Sequence, residues 1–409
     1  MSVNDQCRKT GIYIHIPFCV RKCNYCAFLS FDAESSPRRE YTEALIREIQ
    51  LRGEALRQRD TEQGRTTTVD TVYIGGGTPS VLDISQMRDI VHAVRSSFRI
   101  DEDAEITLEA NPGTLGIRDG VTLAKLQAYR YMGINRLSMG VQSMDNDRLH
   151  FMGRIHTAEN VAREMKLIRQ KGFDNVNLDL MFSIPGESTE DALDDLRKIL
   201  DLRPEHISCY SLQLEEGTPF YEMAERGEFE EVSDEEDRAT YHRICAMLRD
   251  AGYEHYEISN FARVTDSEVS PYRSRHNSRY WDMSDYIGLG LGASGFVDGV
   301  RYRNIDDIEE YIRVFGGGPE GGTIPILEEH VNTEFDTISE AVFTGLRRRE
   351  GVRYHDLGLT EAEFWERFSD ARQEAEEYSG RGLLIIDREG LRLTEEGIDI
   401  SNGIMSLFV

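Results

Sequence analysis

Lysine is scarce in this 409-residue chain, and basic residues as a whole are outnumbered by acidic ones. The sequence holds six lysines beside 41 arginines, and its 74 acidic residues leave a net charge of −27. Contacts to a nucleic-acid backbone require a basic stripe. The charge therefore excludes a nucleic-acid-binding protein, and we interpret the acidity as a property of the protein's solubility rather than of its fold.

Long apolar runs and a cysteine-rich framework are also missing. No apolar segment approaches the roughly 18 residues that mark a membrane helix, and the first residues show no secretory pattern. Six cysteines are too few for a disulfide scaffold of this length. We therefore expect a cytoplasmic protein without an integral membrane segment, whose cysteines serve as ligands or nucleophiles.

The first 300 residues alternate between strand-like and helix-like segments. We predict six strands at 11–18, 70–75, 105–109, 136–140, 175–181 and 206–214. The helical segments between and after them are 38–58, 84–99, 123–131, 158–171, 189–202 and 234–251. Six such βα repeats predict an α/β fold, a partial parallel (β/α)6 barrel, with its functional residues at the C-terminal ends of the strands.

The last quarter of the chain has a different pattern. A glycine-rich stretch at 315–322 predicts a break, so we assign residues 1–300 to the barrel and its extension, 301–324 to a linker and 325–409 to a small domain. Two helical segments, 332–348 and 360–378, precede a predicted hairpin at 383–387 and 391–394. This order predicts a small C-terminal α+β domain of winged-helix-like type.

Three cysteines lie within eight residues, directly after the first predicted strand. Cys19, Cys23 and Cys26 form the pattern CxxxCxxC, and the other three cysteines are scattered. Structural zinc usually takes four ligands in two pairs, and the chain has no second pair. Three thiolates suit a [4Fe-4S] cluster that leaves one iron open to a substrate or cofactor.

This pattern resembles that of the radical S-adenosylmethionine (SAM) superfamily. The string Tyr-Ile-His-Ile-Pro-Phe-Cys at 13–19 is similar to its porphyrin-related branch, which holds the oxygen-independent coproporphyrinogen III oxidases and the HemW-type heme chaperones. The resemblance implies a [4Fe-4S] cluster whose open iron takes SAM, and reductive cleavage of SAM to a 5′-deoxyadenosyl radical. The protein would orient the cofactor and exclude water and oxygen.

Further motifs, such as Gly-Gly-Gly-Thr-Pro at 75–79 and Glu-Ala-Asn-Pro at 109–112, fall at the ends of later predicted strands. The resemblance places around SAM the residues Tyr13, Tyr25, Gly76, Gly77, Thr78, Glu109, Gln142, Arg154 and Asp179. Gln213 is a looser match. His15 is either a core histidine or, as the resemblance implies, a neighbour of the cluster.

Two departures distinguish the chain from the oxidases. Phe28 stands where the oxidases have a fourth cysteine, and only 18 residues precede Cys19. The string His-Asn-Ser-Arg-Tyr-Trp at 276–281 is typical of the HemW branch. The resemblance therefore implies a protein that binds heme and hands it to an acceptor hemoprotein, with an electron donor such as flavodoxin or ferredoxin. A coproporphyrinogen III oxidase, or another radical SAM enzyme acting on tetrapyrroles, is the alternative.

His276 has two interpretations. Neutral imidazole is a common heme ligand, so His276 is a candidate axial ligand. Alternatively, the histidine fixes a loop through hydrogen bonds while its aromatic neighbours pack. Because heme carries propionates, a heme site needs local positive charge, which Arg273, Arg275 and Arg279 would supply.

Overall fold

The computed structural model describes residues 7–317 and 324–409, which form two compact units. The first unit runs to Ile244 and resumes over Asp285–His330, and the second comprises Cys245–Ser284 and Val331–Val409. Within the described ranges no helix is both long enough and apolar enough to cross a membrane.

The strands alternate with helices along most of the chain. In chain order the strands are β1 Cys7–Ile16, β2 Phe18–Cys19, β3 Phe31–Asp32, β4 Thr66–Gly76, β5 Ile100–Ala110, β6 Arg136–Gln142, β7 Val176–Phe182, β8 His206–Ser211, β9 Tyr253–Glu257, β10 Asn260–Arg263, β11 Tyr286–Leu289, β12 Ser294–Val297, β13 Val300–Arg303, β14 Glu328–Val331, β15 Val352–Arg353, β16 Leu384–Ile386 and β17 Gly390–Leu393.

The helices are α1 Arg38–Gln63, α2 Ile84–Ser97, α3 Asp119–Met132, α4 Asn146–Phe151, α5 Ala158–Gln170, α6 Thr189–Asp201, α7 Pro219–Glu225, α8 Asp234–Asp250, α9 Arg275–Trp281, α10 Ile308–Gly317, α11 Glu334–Gly345, α12 Glu361–Arg367, α13 Ser369–Gly380, α14 Glu395–Ile398 and α15 Ser401–Met405.

The six predicted strands correspond to β1, β4, β5, β6, β7 and β8, which lie side by side in that order and run parallel. On its other side β1 pairs in parallel with β11, and β12 and β13 follow as antiparallel neighbours. The strands are covered on both faces, as parallel sheets require; β6 is buried along all but its last residue. The α/β fold of the partial-barrel type is thereby confirmed.

The structure differs from the predicted linker at 301–324. The end of β13 and the whole of α10 occupy 301–317, because Tyr311 and Phe315 form an apolar face that is fully buried. The Tyr311 ring stacks on Tyr41 of α1, with centroids 5.3 Å apart. The remaining glycine-rich stretch, 318–323, lies outside the described residues.

The second unit contains the predicted hairpin, formed by β16 and β17, with β15 on the other side of β17. The helix predicted at 360–378 is two helices, α12 and α13, separated at Phe368. The break turns Phe368 toward the core, where it contacts both Phe364 and Phe408, with centroids 4.9 and 5.4 Å away. Residues 245–284, which the sequence analysis assigns to the barrel and its extension, also belong to this unit, with the β9–β10 hairpin and α9.

Candidate functional site

The cysteine loop follows β1 at the C-terminal end of the parallel strands. Cys19 ends β2, while Cys23 and Cys26 lie in the loop beyond it, and all three are partly buried free thiols. Asn24, inside the loop, donates its backbone N–H to the carbonyl of Met152 (3.0 Å) and its side-chain Nδ2 to the carbonyl of Phe151 (2.8 Å). The backbone carbonyl of Asn24 accepts from the N–H of Phe220 (2.9 Å). The protein's own hydrogen bonds therefore set the shape of the loop.

The thiols lie in surroundings of low polarity with two donors close by. Burial raises the pKa of the Cys19 and Cys26 thiols, and the Thr78 hydroxyl 3.4 Å from Cys19 Sγ opposes that rise for Cys19. Arg154 Nη1 donates to Cys23 Sγ at 3.4 Å. Such thiols become thiolates when a metal ion binds them. Over 7–317 and 324–409 no group of three His, Cys, Asp or Glu side chains could hold one metal ion; in a cubane each thiolate binds a different iron.

The glycine-rich segment at the end of β4 is built directly against the cysteine strand. Gly77 N–H donates to the carbonyl of Ile16 (2.9 Å), and Thr78 N–H donates to the carbonyl of Phe18 (2.7 Å). Gly76 has a φ of +110°, and a Cβ on it would lie 2.6 Å from the His15 ring. Only glycine fits at this position, which explains why the Gly-Gly-Gly-Thr-Pro motif has a glycine at residue 76.

Two carboxylates share the strand ends. Glu109 of β5 accepts from Tyr73 Oη (2.7 Å) and from Gly76 N–H (3.0 Å), and Asp179 of β7 accepts from Asn177 Nδ2 (2.7 Å). Burial raises the pKa of Glu109 to about 7, and it also raises the pKa of Asp179. Two acids in a region of low polarity favour a cationic ligand, and SAM carries a sulfonium and an ammonium group.

Gln142 and Arg154 complete this end of the strands. Gln142 ends β6 in the left-handed region, with a φ of +70°, and its buried Oε1 has no hydrogen-bond partner among the described residues. Arg154 donates through Nη2 to Asn111 Oδ1 (2.7 Å) and to the Gly140 carbonyl, while its Nε is buried without a partner in the described part of the chain. A Cβ on Gly140 would meet Asn111, Gln142 and Arg154 within 3.3 Å. Strained backbone and unused polar atoms are typical of a ligand site, and these residues fit SAM.

Tyr13 and His15 lie beneath the cysteine loop. Tyr13 Oη is 3.0 Å from His15 Nδ1, and His15 Nε2 is 3.0 Å from the carbonyl of Leu29. Because both ring nitrogens are engaged, His15 supports the segment after Cys26 and offers no free nitrogen to iron. Burial lowers the pKa of His15. Of the two roles left open, the geometry favours a structural one, next to the loop.

Tyr25 joins the cysteine loop to an apolar cluster. Its ring packs 6.5 Å from that of Phe220, which lies with Leu149, Met152 and Ile184 in one buried group. Burial raises the pKa of the Tyr25 hydroxyl. Tyr25 therefore attaches the cysteine loop to this apolar cluster.

Gln213 lies apart from these residues. It is exposed just beyond β8 and lines a separate cavity with Ser183, Ser211 and Asp237. Both serine hydroxyls donate to Asp237 Oδ1.

His276 lies in the second unit, on α9. Its side chain is fully buried, with Nε2 2.9 Å from Tyr280 Oη. Arg273 is bound by the carboxylates of Glu254 and Glu350 at 2.9 and 2.7 Å. This environment favours the loop-fixing interpretation of His276, and heme ligation by His276 stays a prediction.

Sequence reasoning missed two residues that the structure places in the site. Asn111 contacts both Thr78 and Arg154, and Tyr73 contacts Glu109. Tyr73 stands two residues before Gly75, the first glycine of the glycine-rich motif, and Asn111 stands two residues after Glu109. The two-residue period of a strand, which puts such positions on one face, was the available signal.

Comparison with known proteins gives a consistent assignment. Residues 13–199 match the model of the radical SAM superfamily, and 333–400 match that of the HemN C-terminal domain. The heme chaperone HemW of Lactococcus lactis subsp. lactis is 33% identical, with 98% of either chain covered. That of Bacillus subtilis is 32% identical, covering 97% of this chain and 98% of its own.

The heme chaperone HemW of Escherichia coli is 37% identical over 70% of both chains. Among solved structures, the coproporphyrinogen III oxidase HemN of Escherichia coli, a radical SAM enzyme, superposes with a TM-score of 0.80. At 23% identity, covering 98% of this chain and 90% of that one, it shows the fold alone. With its cysteine triplet at the C-terminal ends of the strands and HemW relatives that match along almost its whole length, this chain belongs to the radical SAM superfamily and, within it, to the family of the HemW heme chaperones.

Proposed function

We propose that the chain holds a [4Fe-4S] cluster on Cys19, Cys23 and Cys26 and binds SAM beside it. The observation that carries this proposal is the convergence of three thiols with polar side chains from four further strand ends. When bound, the cluster and SAM supply one-electron chemistry. An electron donor such as flavodoxin or ferredoxin would reduce the cluster.

The chain's own residues provide complementary charge and hydrogen bonds for SAM. Glu109 and Asp179 supply negative charge for a cationic ligand. Gln142 offers an unused acceptor in Oε1, and Arg154 offers an unused donor in Nε. The backbone from Gly76 to Thr78 allows close approach, since side chains there are absent or small.

We further propose that heme is the cargo of this protein and that an acceptor hemoprotein receives it. The support is the name of the relatives that match along the whole chain, heme chaperone HemW, together with Phe28. That side chain is 69% exposed, so the position of the oxidases' fourth cysteine presents an apolar ring and no thiol. A heme chaperone therefore agrees with this chain better than an oxidase.

Anaerobic heme titration of the reconstituted protein, with and without SAM, tests this proposal. We expect a saturable heme spectrum and transfer of the heme to an apo-hemoprotein, measured as recovered acceptor absorbance. The matched control is Cys23→Ser, which separates heme binding from cluster binding. Heme that never binds, or that never leaves for any acceptor, would contradict the proposal.

A second assay tests the enzymatic alternative. Reduced, reconstituted protein is incubated with SAM and coproporphyrinogen III, and the product is analysed for protoporphyrinogen IX. We expect none. Formation of protoporphyrinogen IX with multiple turnovers would replace the chaperone proposal with an oxidase.

The role of His276 is tested by a pair of variants. If His276 ligates heme, His276→Ala weakens heme binding with the cluster intact, and Tyr280→Phe, which removes the hydroxyl 2.9 Å from Nε2, does not weaken it. If His276 only fixes the loop, both variants lower the melting temperature and leave the heme spectrum unchanged. Absorption spectra and thermal melts of the two proteins distinguish these outcomes.

A further inference from the structure

A continuous chain of hydrogen bonds connects two of the three cysteine sulfurs, and Asn111 is at its centre. Asn111 Nδ2 donates to Thr78 Oγ1 at 2.7 Å, and Thr78 Oγ1 lies 3.4 Å from Cys19 Sγ. Asn111 Oδ1 accepts from Arg154 Nη2 at 2.7 Å, and Arg154 Nη1 lies 3.4 Å from Cys23 Sγ. One side-chain amide thus links the donors that reach both thiols.

The chemistry of the groups fixes the direction of every bond in this chain. A guanidinium only donates, so the Asn111 atom that faces Arg154 must be its oxygen. The Asn111 amide nitrogen then faces Thr78 and donates to its hydroxyl oxygen. Because Thr78 has a single hydroxyl hydrogen and accepts from Asn111, that hydrogen is directed to Cys19. Donor chains of this kind polarise one another and strengthen the terminal bond.

The Asn111 side chain is not required for its own turn. The backbone N–H of Asn111 donates to Thr114 Oγ1 (3.3 Å), and its carbonyl accepts from the backbone N–H of Thr114 (3.0 Å). Both hydrogen bonds of its side-chain amide reach outward, to Thr78 and to Arg154. The amide therefore contributes to the surroundings of the thiols rather than to the local fold.

We propose that Asn111 is a positioning residue that directs the Thr78 hydroxyl onto Cys19 and holds Arg154 against Cys23, and that it thereby raises the reduction potential of the cluster. Hydrogen bonds to the sulfurs of an iron–sulfur cluster favour its more negative, reduced state. This inference rests on the proposed [4Fe-4S] cluster. It adds that hydrogen bonds from Thr78 and Arg154, both held by Asn111, set the reduction potential of that cluster.

Redox titration of the reconstituted protein, followed by electron paramagnetic resonance, measures the potential directly. Asn111→Leu removes both bonds of the amide. Asn111→Asp still accepts from Arg154 but cannot donate to Thr78, whose hydroxyl then turns to the new carboxylate. We expect the potential to fall in the order wild type, Asn111→Leu, Asn111→Asp. For Asn111→Leu the expected change is about tenfold in the ratio of oxidised to reduced cluster, about 59 mV for one electron.

Thr78 provides the matched pair. Thr78→Val keeps the shape and removes the hydroxyl, so we expect a lower potential, while Thr78→Ser keeps the hydroxyl and restores the wild-type value. Since Asn111 and Thr78 act on Cys19 through one bond, the shift in the double variant Asn111→Leu/Thr78→Val is smaller than the sum of the single shifts. If the shift in potential of the double variant equals the sum of the two single shifts, the proposed series of hydrogen bonds from Asn111 through Thr78 to Cys19 is overturned.

Asn135 is the control for a purely structural effect. Its side chain also bridges two groups, accepting from Ile106 N–H (2.8 Å) and donating to the carbonyl of Ala104 (2.7 Å), both near the start of β5's buried run. Asn135→Leu is therefore expected to lower the melting temperature with no change in potential. A shift equal to that of Asn111→Leu would show that general loosening, and not the bond to Cys19, moves the potential.

The outcomes separate this inference from the proposed function. If the wild-type protein assembles no [4Fe-4S] cluster, the proposed function fails. If it does, and the Asn111 and Thr78 variants carry full clusters at the wild-type potential, only the inference fails. If the Asn111 variants do not assemble a cluster, Thr78→Val and Thr78→Ser decide, and equal potentials overturn the inference.

Discussion

Two carboxylates of the first unit, Glu48 and Glu109, differ in how many donors they receive. Glu48 of α1 is fully buried and accepts from Gly290 N–H (2.8 Å), Asn304 Nδ2 (2.7 Å) and Tyr311 Oη (2.6 Å), with Arg52 3.5 Å away.

Glu109, at the strand ends, accepts from two donors, Tyr73 Oη and Gly76 N–H. Gln142 and Arg154, which also lie at this end of the sheet, carry buried polar atoms that have no partner within the described ranges. A saturated carboxylate indicates a structural role, and unsatisfied surroundings indicate a place for a ligand. Variants of the two regions should therefore change different properties.

The largest expected effect comes from the thiols. Cys23→Ser should abolish assembly of the [4Fe-4S] cluster, because no other group in the loop replaces its thiolate. Cys7→Ser, which removes an exposed cysteine at the start of β1, is the control and should bind iron normally. Iron and sulfide analysis after anaerobic reconstitution checks both. Full iron content in Cys23→Ser would contradict the assignment.

Glu48→Ala should be the most destabilising change in the comparison. It leaves Arg52 and three neutral donors without their buried partner, which costs about 3–5 kcal/mol of unfolding free energy. SAM affinity measured on the folded protein should stay within a factor of about two of wild type, since Glu48 lies outside the site. Urea unfolding and a SAM binding isotherm measure the two quantities. A large loss of affinity at unchanged stability would reverse the assignment of roles.

The pH dependence of stability should distinguish Glu109. Its carboxyl has a pKa of about 7 in the folded chain against a usual 4.5. Between these values the folded state holds a proton that the unfolded state releases, so unfolding free energy falls as pH rises through this window, by at most about 1.4 kcal/mol per pH unit.

Glu109→Gln removes this pH-dependent contribution. As pH rises from about 4.5 to about 7, the unfolding free energy of wild type should therefore fall relative to that of the variant. Urea unfolding at steps of about one pH unit measures it. Parallel curves for the two proteins would show that the pKa of Glu109 is not raised. Above a pH of about 7, where the Glu109 carboxyl is ionised, SAM affinity should fall in the same variant, because a negative charge is lost.

The smallest effect concerns Gln142. Glycine adopts its φ of +70° without strain, so Gln142→Gly should stabilise the fold by about 1 kcal/mol. The same change removes the amide that offers Oε1, so SAM binding should weaken. Thermal melts and binding isotherms on one preparation check both directions. A variant that loses stability would show that the Gln142 side chain contributes more to packing than to ligand binding.

The sequence predicted the part of the structure that repeats. Alternating strands and helices gave the six parallel strands, and the resemblance placed polar residues at their ends, because motifs at strand ends keep a constant spacing from the strand. The short helices α4 and α7 were missed, since pieces of six and seven residues show little periodicity.

Long-range packing accounts for the other misses. The helix α10 depends on burial of Tyr311 against Tyr41, some 270 residues earlier in the chain, which glycine content alone does not reveal. Asn111 has partners in the segment after β4 and in the segment after α4, so its role follows only from the folded chain. The burial of His276 is likewise a property of the second unit's tertiary structure.

The three hydrogen bonds of Asn24 bear on what happens to the protein when oxygen destroys its cluster. Oxygen destroys exposed iron–sulfur clusters, and a loop that depended on its metal for shape would unfold each time the iron was lost. Here the backbone between Cys23 and Cys26 is held by protein groups alone. We therefore expect a damaged molecule to remain folded and ready for a new cluster, so that repair replaces degradation and resynthesis.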